Sequence, residues 1–110
     1  MPKYITPRTL FGRRLREARL RTGIPQDKLG VMIGIDELSS SARISRYENG
    51  THEPPFLIAE KLAAVLGVPT AFFYSSDDDV AELVCWFAAL PAPDKARVML
   101  ELRGLLAQSK

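Results

Sequence analysis

The chain has few of the residues that build cross-links and metal sites, since its 110 residues include one cysteine, Cys85, and one histidine, His52. One cysteine cannot form an internal disulfide, and one cysteine with one histidine cannot build a zinc site. No Ser/His/Asp set, Cys/His pair, glycine-rich phosphate loop or paired carboxylate stands out either. We therefore expect no metal, no cofactor and no enzymatic activity.

Long apolar segments are also missing. The longest nearly unbroken apolar run covers residues 83–93 and contains two prolines, whereas a membrane-spanning helix needs about 20 apolar residues. The first residues lack the apolar stretch of a secretory signal. The hydrophobic fraction of 46% and the charged fraction of 25% are those of an ordinary globular protein. We expect one small cytoplasmic domain with room for an appendage.

Charge is distributed unevenly along the chain. Residues 1–74 carry 11 Lys/Arg and 7 Asp/Glu, whereas residues 75–110 carry 4 and 6. A basic first part suits a polyanionic partner such as nucleic acid. Charge alone, however, more often marks a solvated helix face, so composition leaves both interpretations open. The arginines that we expect on such a solvated face are Arg13, Arg14, Arg16 and Arg21.

Helix start and stop signals predict an all-α fold without strands. Thr9 can cap the first helix, and Gly23, Gly34, Gly50 and Gly67 are natural helix ends. The predicted helices cover residues 9–21, 25–33, 42–49 and 56–66, one further turn at 70–74, and two helices in the last third that are joined by Pro91-Ala92-Pro93. Residues 77–79 are either a linker or a capped helix start, because acids suit a helix N-terminus.

The second and third predicted helices, separated by a tight turn, have the organisation of a helix-turn-helix. In that arrangement the second helix of the pair enters the major groove and presents side chains to base edges. Short residues near its start allow close approach, and a longer donor is needed further along. Ser40, Ser41 and Ala42 are short, Arg46 is long, and Ile44 can face the core.

Several separated segments resemble the Cro/phage-repressor type of helix-turn-helix regulators, also called the xenobiotic-response-element family. The segments are Leu15-Arg16-Glu17-Ala18-Arg19, residues 23–30, Ile44-Ser45-Arg46-Tyr47-Glu48-Asn49-Gly50, Pro54-Pro55, residues 58–63 and residues 66–69. The resemblance covers residues 9–74. It implies a five-helix, lambda-repressor-like DNA-binding domain within residues 1–76, followed by a C-terminal helical hairpin.

The resemblance also implies roles for individual residues. Gln26 matches a glutamine that bonds a DNA phosphate and braces the recognition helix, and Asn49 matches a backbone-contacting position. Arg19 and Glu48 match an ion pair between the first and third helices, with a structural role. The residues expected to contact double-stranded DNA are Gln26, Ser40, Ser41, Ala42, Arg43, Ser45, Arg46 and Asn49.

The sequence departs from the family's spacing before the third helix. The segment from Gly34 to Ile44 is about four residues longer than usual, so residues 36–39 resemble an insertion. The insertion either lengthens the turn or adds a turn to the front of the recognition helix. We expect the longer turn, because Ser40 stands where the family has its N-cap.

The two C-terminal helices need a surface to pack on. They can fold back on the first five helices, pair with the same helices of a second copy, or bind another protein. The helix over residues 77–90 is apolar on more than one side, which favours burial of two faces and hence dimerisation. The residues expected at a dimer interface are Val80, Leu83, Val84, Trp86, Phe87, Met99, Leu102 and Leu106.

The sequence therefore predicts a sequence-specific DNA-binding transcriptional regulator. Residues 1–76 would bind DNA and residues 77–110 would form the dimerisation element. The resemblance implies a homodimer on an inverted-repeat operator, with repression as the default mechanism. The alternative is an antitoxin-type protein, whose C-terminal helices bind a partner protein and whose DNA-binding domain autoregulates its operon.

Overall fold

A computed structural model describes residues 9–109, which form six α-helices and one 3-10 helix, with no strand in that range. In chain order the elements are α1 (Leu10–Thr22), α2 (Gln26–Met32), α3 (Glu37–Asn49), α4 (Phe56–Leu66), the 3-10 helix (Thr70–Tyr74), α5 (Asp78–Ala89) and α6 (Ala92–Gln108). The all-α class expected from the sequence is confirmed. None of these helices is long and apolar enough to cross a membrane. The basic residues Lys3 and Arg8 lie outside the described part of the chain.

The ends of α1 follow the signals in the sequence. The hydroxyl oxygen of Thr9 accepts a hydrogen bond from the backbone N–H of Gly12 at 2.9 Å, which satisfies one of the free donors of the first turn. Gly23 ends the helix in the left-handed conformation, with φ 74°, where a residue without a Cβ is unstrained. The cap and the terminating glycine expected for this helix are confirmed.

The start of α3 differs from the expectation. The helix begins at Glu37, and the carboxylate of Asp36 caps it by accepting a hydrogen bond from the N–H of Leu38 at 3.0 Å. The prediction of a longer turn with Ser40 as the N-cap is therefore wrong. The additional residues form an extra first turn of α3, because Asp36 is as good a cap as serine and Glu37 suits the positive helix end.

Helices α1 to α4 and the 3-10 helix enclose one hydrophobic core. Each element contributes a fully buried side chain, namely Leu15, Leu29, Ile44, Leu62 and Phe72. Burying one such side chain contributes about 1.5–3 kcal/mol to stability. Phe11 of α1 and Phe73 of the 3-10 helix contact each other in this core, with ring centroids 4.8 Å apart and ring planes inclined by 52°. The shared core fixes the position of α3 against its neighbours.

Two glycines allow α3 to lie close to α1 and α2. A Cβ on Gly12 would overlap the backbone carbonyl of Glu48, and a Cβ on Gly30 would overlap the side chain of Ser40. Ser40 is completely buried, and its hydroxyl donates to the backbone carbonyl of Asp27. Ser40 therefore packs α3 against α2 instead of capping a helix.

A buried arginine ties the beginning of α5 to α1. The side chain of Arg14 is 2% exposed, so its expected place on a solvated face is wrong. Its guanidinium donates to the backbone carbonyl of Ser75 at 2.9 Å, to Glu17 at 3.0 Å and to Asp78 at 2.9 Å. The last bond holds the pKa of the Asp78 carboxyl below its usual value. Residues 75–78 are fixed against the core by these contacts.

The two C-terminal helices differ in how much they bury. Asp77 caps α5 by accepting hydrogen bonds from the N–H groups of Asp79 at 2.8 Å and Val80 at 3.0 Å, so residues 77–79 are a helix start and not a linker. Ala81 of α5 is buried against the core. Helix α6 buries none of its residues and makes little contact with α5 or with the core. It extends from the rest of the chain.

Candidate nucleic-acid interface

Helices α2 and α3 are joined by the short segment of residues 33–36. Gly34 reverses the chain there with φ 96°, a conformation that favours glycine. The two helices pack closely through Gly30 and Ser40. This arrangement is the helix-turn-helix geometry, with α3 in the position of the recognition helix.

One face of α3 is turned towards the core and the opposite face towards solvent. The buried residues are Ser40, Ile44, Tyr47 and Glu48. At about 100° per residue, the opposite face carries Ala42, Ser45, Arg46 and Asn49 in one row along the helix. Ala42 and Arg46 are exposed, and the other two are half-buried. Short and long polar side chains thus share one accessible face.

Two further predicted residues flank this row. Ser41 and Arg43 are both exposed and lie on either side of it. Within the row, Asn49 donates a hydrogen bond of 3.4 Å to the hydroxyl of Ser45 one turn earlier. Six of the residues predicted to contact DNA therefore lie on or beside the solvent face of α3.

Ser40 does not belong to this surface. It is completely buried between α2 and α3, and its hydroxyl is bonded to the backbone of α2. The prediction that Ser40 contacts DNA is wrong, because the helix starts one turn earlier than expected and Ser40 faces Gly30.

The structure brings Arg19 of α1 and Glu48 of α3 together. The guanidinium of Arg19 donates through Nη2 to Oε1 of Glu48 at 3.1 Å and through Nε to Oε2. It also donates to the backbone carbonyl of Ile24 at 3.2 Å. The two side chains are 13% and 4% exposed. This largely buried pair connects α1, the chain before α2 and the end of α3.

Gln26 joins the same network from the first residue of α2. Its Nε2 donates to Oε1 of Glu48 at 3.2 Å, and the side chain is half-buried. The network leaves the side-chain oxygen and one amide hydrogen of Gln26 for other contacts. Gln26 is thus held in a fixed orientation beside α3 by the ion pair behind it.

The comparison with protein families matches residues 15–73, which include all of α2, α3 and α4, to the family described as Helix-turn-helix. The chain belongs to this family. The match covers more than half of the chain and confirms the resemblance to the Cro/phage-repressor type. The protein is a transcriptional regulator with a lambda-repressor-like helical fold, and its family binds DNA.

Two known proteins are similar to the regulator over most of its length. The cryptic phage CTXphi transcriptional repressor RstR of Vibrio cholerae is 27% identical over an alignment of 106 residues, and the match covers 92% of each chain. The crystal structure of the transcriptional regulator BswR superimposes with a TM-score of 0.84 and 39% identity. That alignment covers 90% of the regulator and 98% of BswR. At these coverages the similarity extends beyond residues 15–73 into the C-terminal helices.

The regulator exposes most of the residues predicted for dimerisation. Val80 and Leu83 of α5 are 47% and 45% exposed, and Trp86 is 63% exposed. On α6, Met99, Leu102 and Leu106 are 41%, 40% and 65% exposed. Val84 and Phe87 are half-buried. These two helices carry an apolar surface that the described part of the chain does not cover.

The inner side of α5 belongs to the regulator's own core. Val84 and Cys85 pack against the cluster that contains Ala81. Burial raises the pKa of the Cys85 thiol, which keeps the thiol protonated at neutral pH. Val84 therefore serves the folding of the monomer in addition to any contact with a partner.

The predicted sets of DNA-binding and dimerisation residues leave out three exposed leucines. Leu100 and Leu105 of α6 are 64% and 60% exposed and extend its apolar surface. Leu38 lies in the extra turn of α3 and is 95% exposed. Leu38 precedes Ala42 by four residues. A predicted helix start at Asp36 would therefore have put both residues on the same face of α3.

Proposed function

We propose that the regulator represses transcription by binding a specific operator with α3 in the major groove. The observation that carries the proposal is the accessible row of Ala42, Ser45, Arg46 and Asn49 opposite the buried face of α3. A helix with this division of faces is suited to groove entry. The relative from Vibrio cholerae is named a transcriptional repressor, which supports repression as the mode of action.

Each side chain on this surface suits a particular contact. The guanidinium of Arg46 can donate two hydrogen bonds to O6 and N7 of guanine, and the Ser41 and Ser45 hydroxyls can bond a base or a phosphate. Within residues 9–109, Arg43 and Arg46 form no ion pair with a carboxylate of the chain. The hydrogen bond from Gln26 to Glu48 supports a role for Gln26 as a phosphate contact beside the recognition helix.

Selection from a random DNA library tests this function. The intact regulator should enrich an inverted repeat, and Arg46→Ala should lose the preference for one base per half-site, a loss of about 1–3 kcal/mol of discrimination. Arg97→Ala, which removes a 75% exposed arginine from α6, is the matched control and should keep the full motif. Failure of the intact protein to enrich any sequence would contradict the proposal.

Salt dependence provides a second test of the same function. Contacts with phosphates release counterions, so affinity for the enriched site should fall about a thousandfold or more between about 50 and 200 mM salt. Fluorescence anisotropy with a labelled duplex measures this slope. An affinity that does not change with salt would contradict binding of the DNA backbone.

We further propose that the exposed apolar surface of α5 and α6 joins two copies of the regulator. Helix α6 has 17 residues, none of them buried, and an amphipathic helix depends mainly on packing for its stability. A second copy carries the same apolar surface and would place two recognition helices about 34 Å apart, one helical turn of DNA. In this proposal, residues 1–76 bind DNA and residues 77–110 form the contact with the second copy. The inner side of α5 is the exception, because it packs on the core of its own chain.

Sedimentation velocity tests the dimer. The intact regulator should sediment as a particle with twice the 12.2 kDa mass of one chain. Leu102→Glu should sediment as the monomer, because burying a carboxylate in an apolar interface is costly. Leu20→Glu changes a 61% exposed leucine of α1 and should remain dimeric. If the intact chain is a monomer, the dimer is wrong, and the antitoxin-type alternative with a partner protein on α5 and α6 becomes the better explanation of this surface.

A further inference from the structure

The extra turn at the start of α3 exposes a large apolar side chain. Leu38 is 95% exposed, the highest value among the large hydrophobic residues of the described chain. It does not belong to the apolar surface of α5 and α6, because it lies on the recognition helix. Nothing in the packing of α2 and α3 requires a leucine at this position.

Helical spacing places Leu38 on the same face as the proposed DNA-contacting residues. Leu38, Ala42, Arg46 and Asn49 are separated by four, four and three residues, so they form one row along α3. The buried residues Ser40, Ile44 and Glu48 lie on the opposite side. Leu38 therefore extends the accessible row by one turn towards the N-terminus of the helix.

The two acidic residues beside Leu38 are directed away from this row. The Asp36 carboxylate is bonded to the N–H of Leu38 as the helix cap. Glu37 is on the side of the buried residues Ser40 and Ile44, and it lines a shallow cavity with Lys28 of α2. These carboxylates disfavour a phosphate at this end of α3, and the exposed Leu38 side chain itself can offer a base only an apolar contact.

We propose that Leu38 is a specificity-determining residue that contacts the C5-methyl group of a thymine in the major groove. The proposal rests on the proposed function, in which α3 lies in that groove. The thymine methyl is the apolar feature that base pairs present there. Leu38 and Arg46 are about 12 Å apart along the helix, so the thymine should lie about three to four base pairs from the base read by Arg46.

The first experiment is selection from a random double-stranded DNA library with the intact regulator, Leu38→Ala and Leu38→Met. The intact regulator should prefer thymine at one position per half-site. Leu38→Ala should lose that preference and keep the rest of the motif, whereas Leu38→Met should retain it because methionine is also apolar. Leu20→Ala removes an equally apolar, 61% exposed side chain from α1 and should select the motif of the intact protein.

The second experiment removes the methyl group from the DNA. In a duplex of the selected sequence, that thymine is replaced by uracil, which lacks only the C5-methyl. The intact regulator should bind the uracil duplex about fourfold more weakly, the effect of one buried methyl group. Leu38→Ala should bind both duplexes with the same affinity.

The outcomes separate this inference from the function on which it rests. If Leu38→Ala keeps the thymine preference, or if the intact regulator does not distinguish uracil from thymine, the role of Leu38 is wrong and the DNA-binding function remains. If the intact regulator enriches no motif, the DNA-binding function fails and the role of Leu38 fails with it. Loss of the preference in Leu38→Ala together with equal binding of its two duplexes supports the contact.

Discussion

The part of the chain from α1 to the 3-10 helix and the part formed by α5 and α6 use apolar residues in different ways. The first part supplies all but one of the buried core residues, and all five of its elements contribute to that core, although four large side chains on its surface are at least 60% exposed, namely Leu20, Leu38, Phe56 and Leu57. The second part adds only Ala81 to the buried core and leaves Trp86, Leu100, Leu105 and Leu106 at least 60% exposed. The first part is stabilised by its own packing, whereas the second carries apolar surface beyond what the monomer needs. Stability and assembly therefore depend on different segments of this small chain.

Polar groups show the same contrast. The first part buries the charged residues Arg14 and Glu48, and both are hydrogen-bonded by several partners. In the described residues, no buried side-chain nitrogen or oxygen lacks a partner. Helix α6 has one ion pair, between Arg97 and Asp94 at 3.7 Å, and it is exposed. Losing a buried charge should matter far more than losing an exposed one.

The largest effect is expected for Glu48→Ala. The substitution leaves the largely buried Arg19, whose side chain is 13% exposed, without its carboxylate partner and removes the acceptor of Gln26. We expect a loss of about 3–5 kcal/mol of stability, because an uncompensated buried charge remains. Urea denaturation followed by circular dichroism measures the change. Glu101→Ala, at an exposed position of α6, should change stability by less than about 0.5 kcal/mol, and equal losses in the two variants would contradict the comparison.

Truncating one leucine in each part should separate folding from assembly. Leu62→Ala removes a completely buried side chain and should cost about 2–5 kcal/mol of stability. Leu106→Ala, at a 65% exposed position, should leave the denaturation midpoint of the diluted monomer nearly unchanged and weaken dimerisation. Denaturation at low protein concentration and sedimentation velocity provide the two measurements. A large loss of monomer stability in Leu106→Ala would show that α6 packs on the core.

Replacing a glycine by alanine should change stability in opposite directions in the two parts. A Cβ on Gly30 would overlap Ser40, whereas a Cβ on Gly104 of α6 meets no atom within 4 Å. Gly30→Ala should cost about 1–3 kcal/mol through overpacking of α2 against α3. Gly104→Ala should gain about 0.5–1 kcal/mol through higher helix propensity. Thermal denaturation of the two variants at the same concentration tests this, and stabilisation by Gly30→Ala would contradict the close contact.

Much of the fold was predictable because its signals are local. The start of α1 is marked by Thr9, and the ends of α1 and α3 are marked by Gly23 and Gly50. These residues satisfy backbone requirements that every helix has at its ends. The start of α3 was not predictable, because Asp36 and Ser40 are both good caps. Contact with Gly30 decided between them, and that contact belongs to tertiary structure.

The surface was predictable in part for the same reason. The spacing of residues in α3 separates an inner from an outer face, which places Ala42 and Arg46 correctly on the accessible side. The spacing does not say which of several similar arginines is buried. Arg14 is buried because residues 75–78 return to α1, a contact between segments 61 or more residues apart that no local pattern contains.

The smallest effect is expected at the contact that joins the two parts, and it should depend on pH. The hydrogen bond from Arg14 lowers the pKa of the Asp78 carboxyl in the folded state. The contact therefore stabilises the protein above the ordinary pKa of aspartate, near 4, and the stabilisation is lost as pH falls below that value. Asp78→Asn should lower the melting temperature at pH 7, and its difference from the unsubstituted chain should shrink by pH 2.5. Asp79→Asn is the control, because it removes a neighbouring carboxylate that does not contact Arg14. If Asp79→Asn lowers the melting temperature by the same amount and with the same pH dependence, the effect belongs to any carboxylate at the N-terminus of α5 and not to the contact with α1.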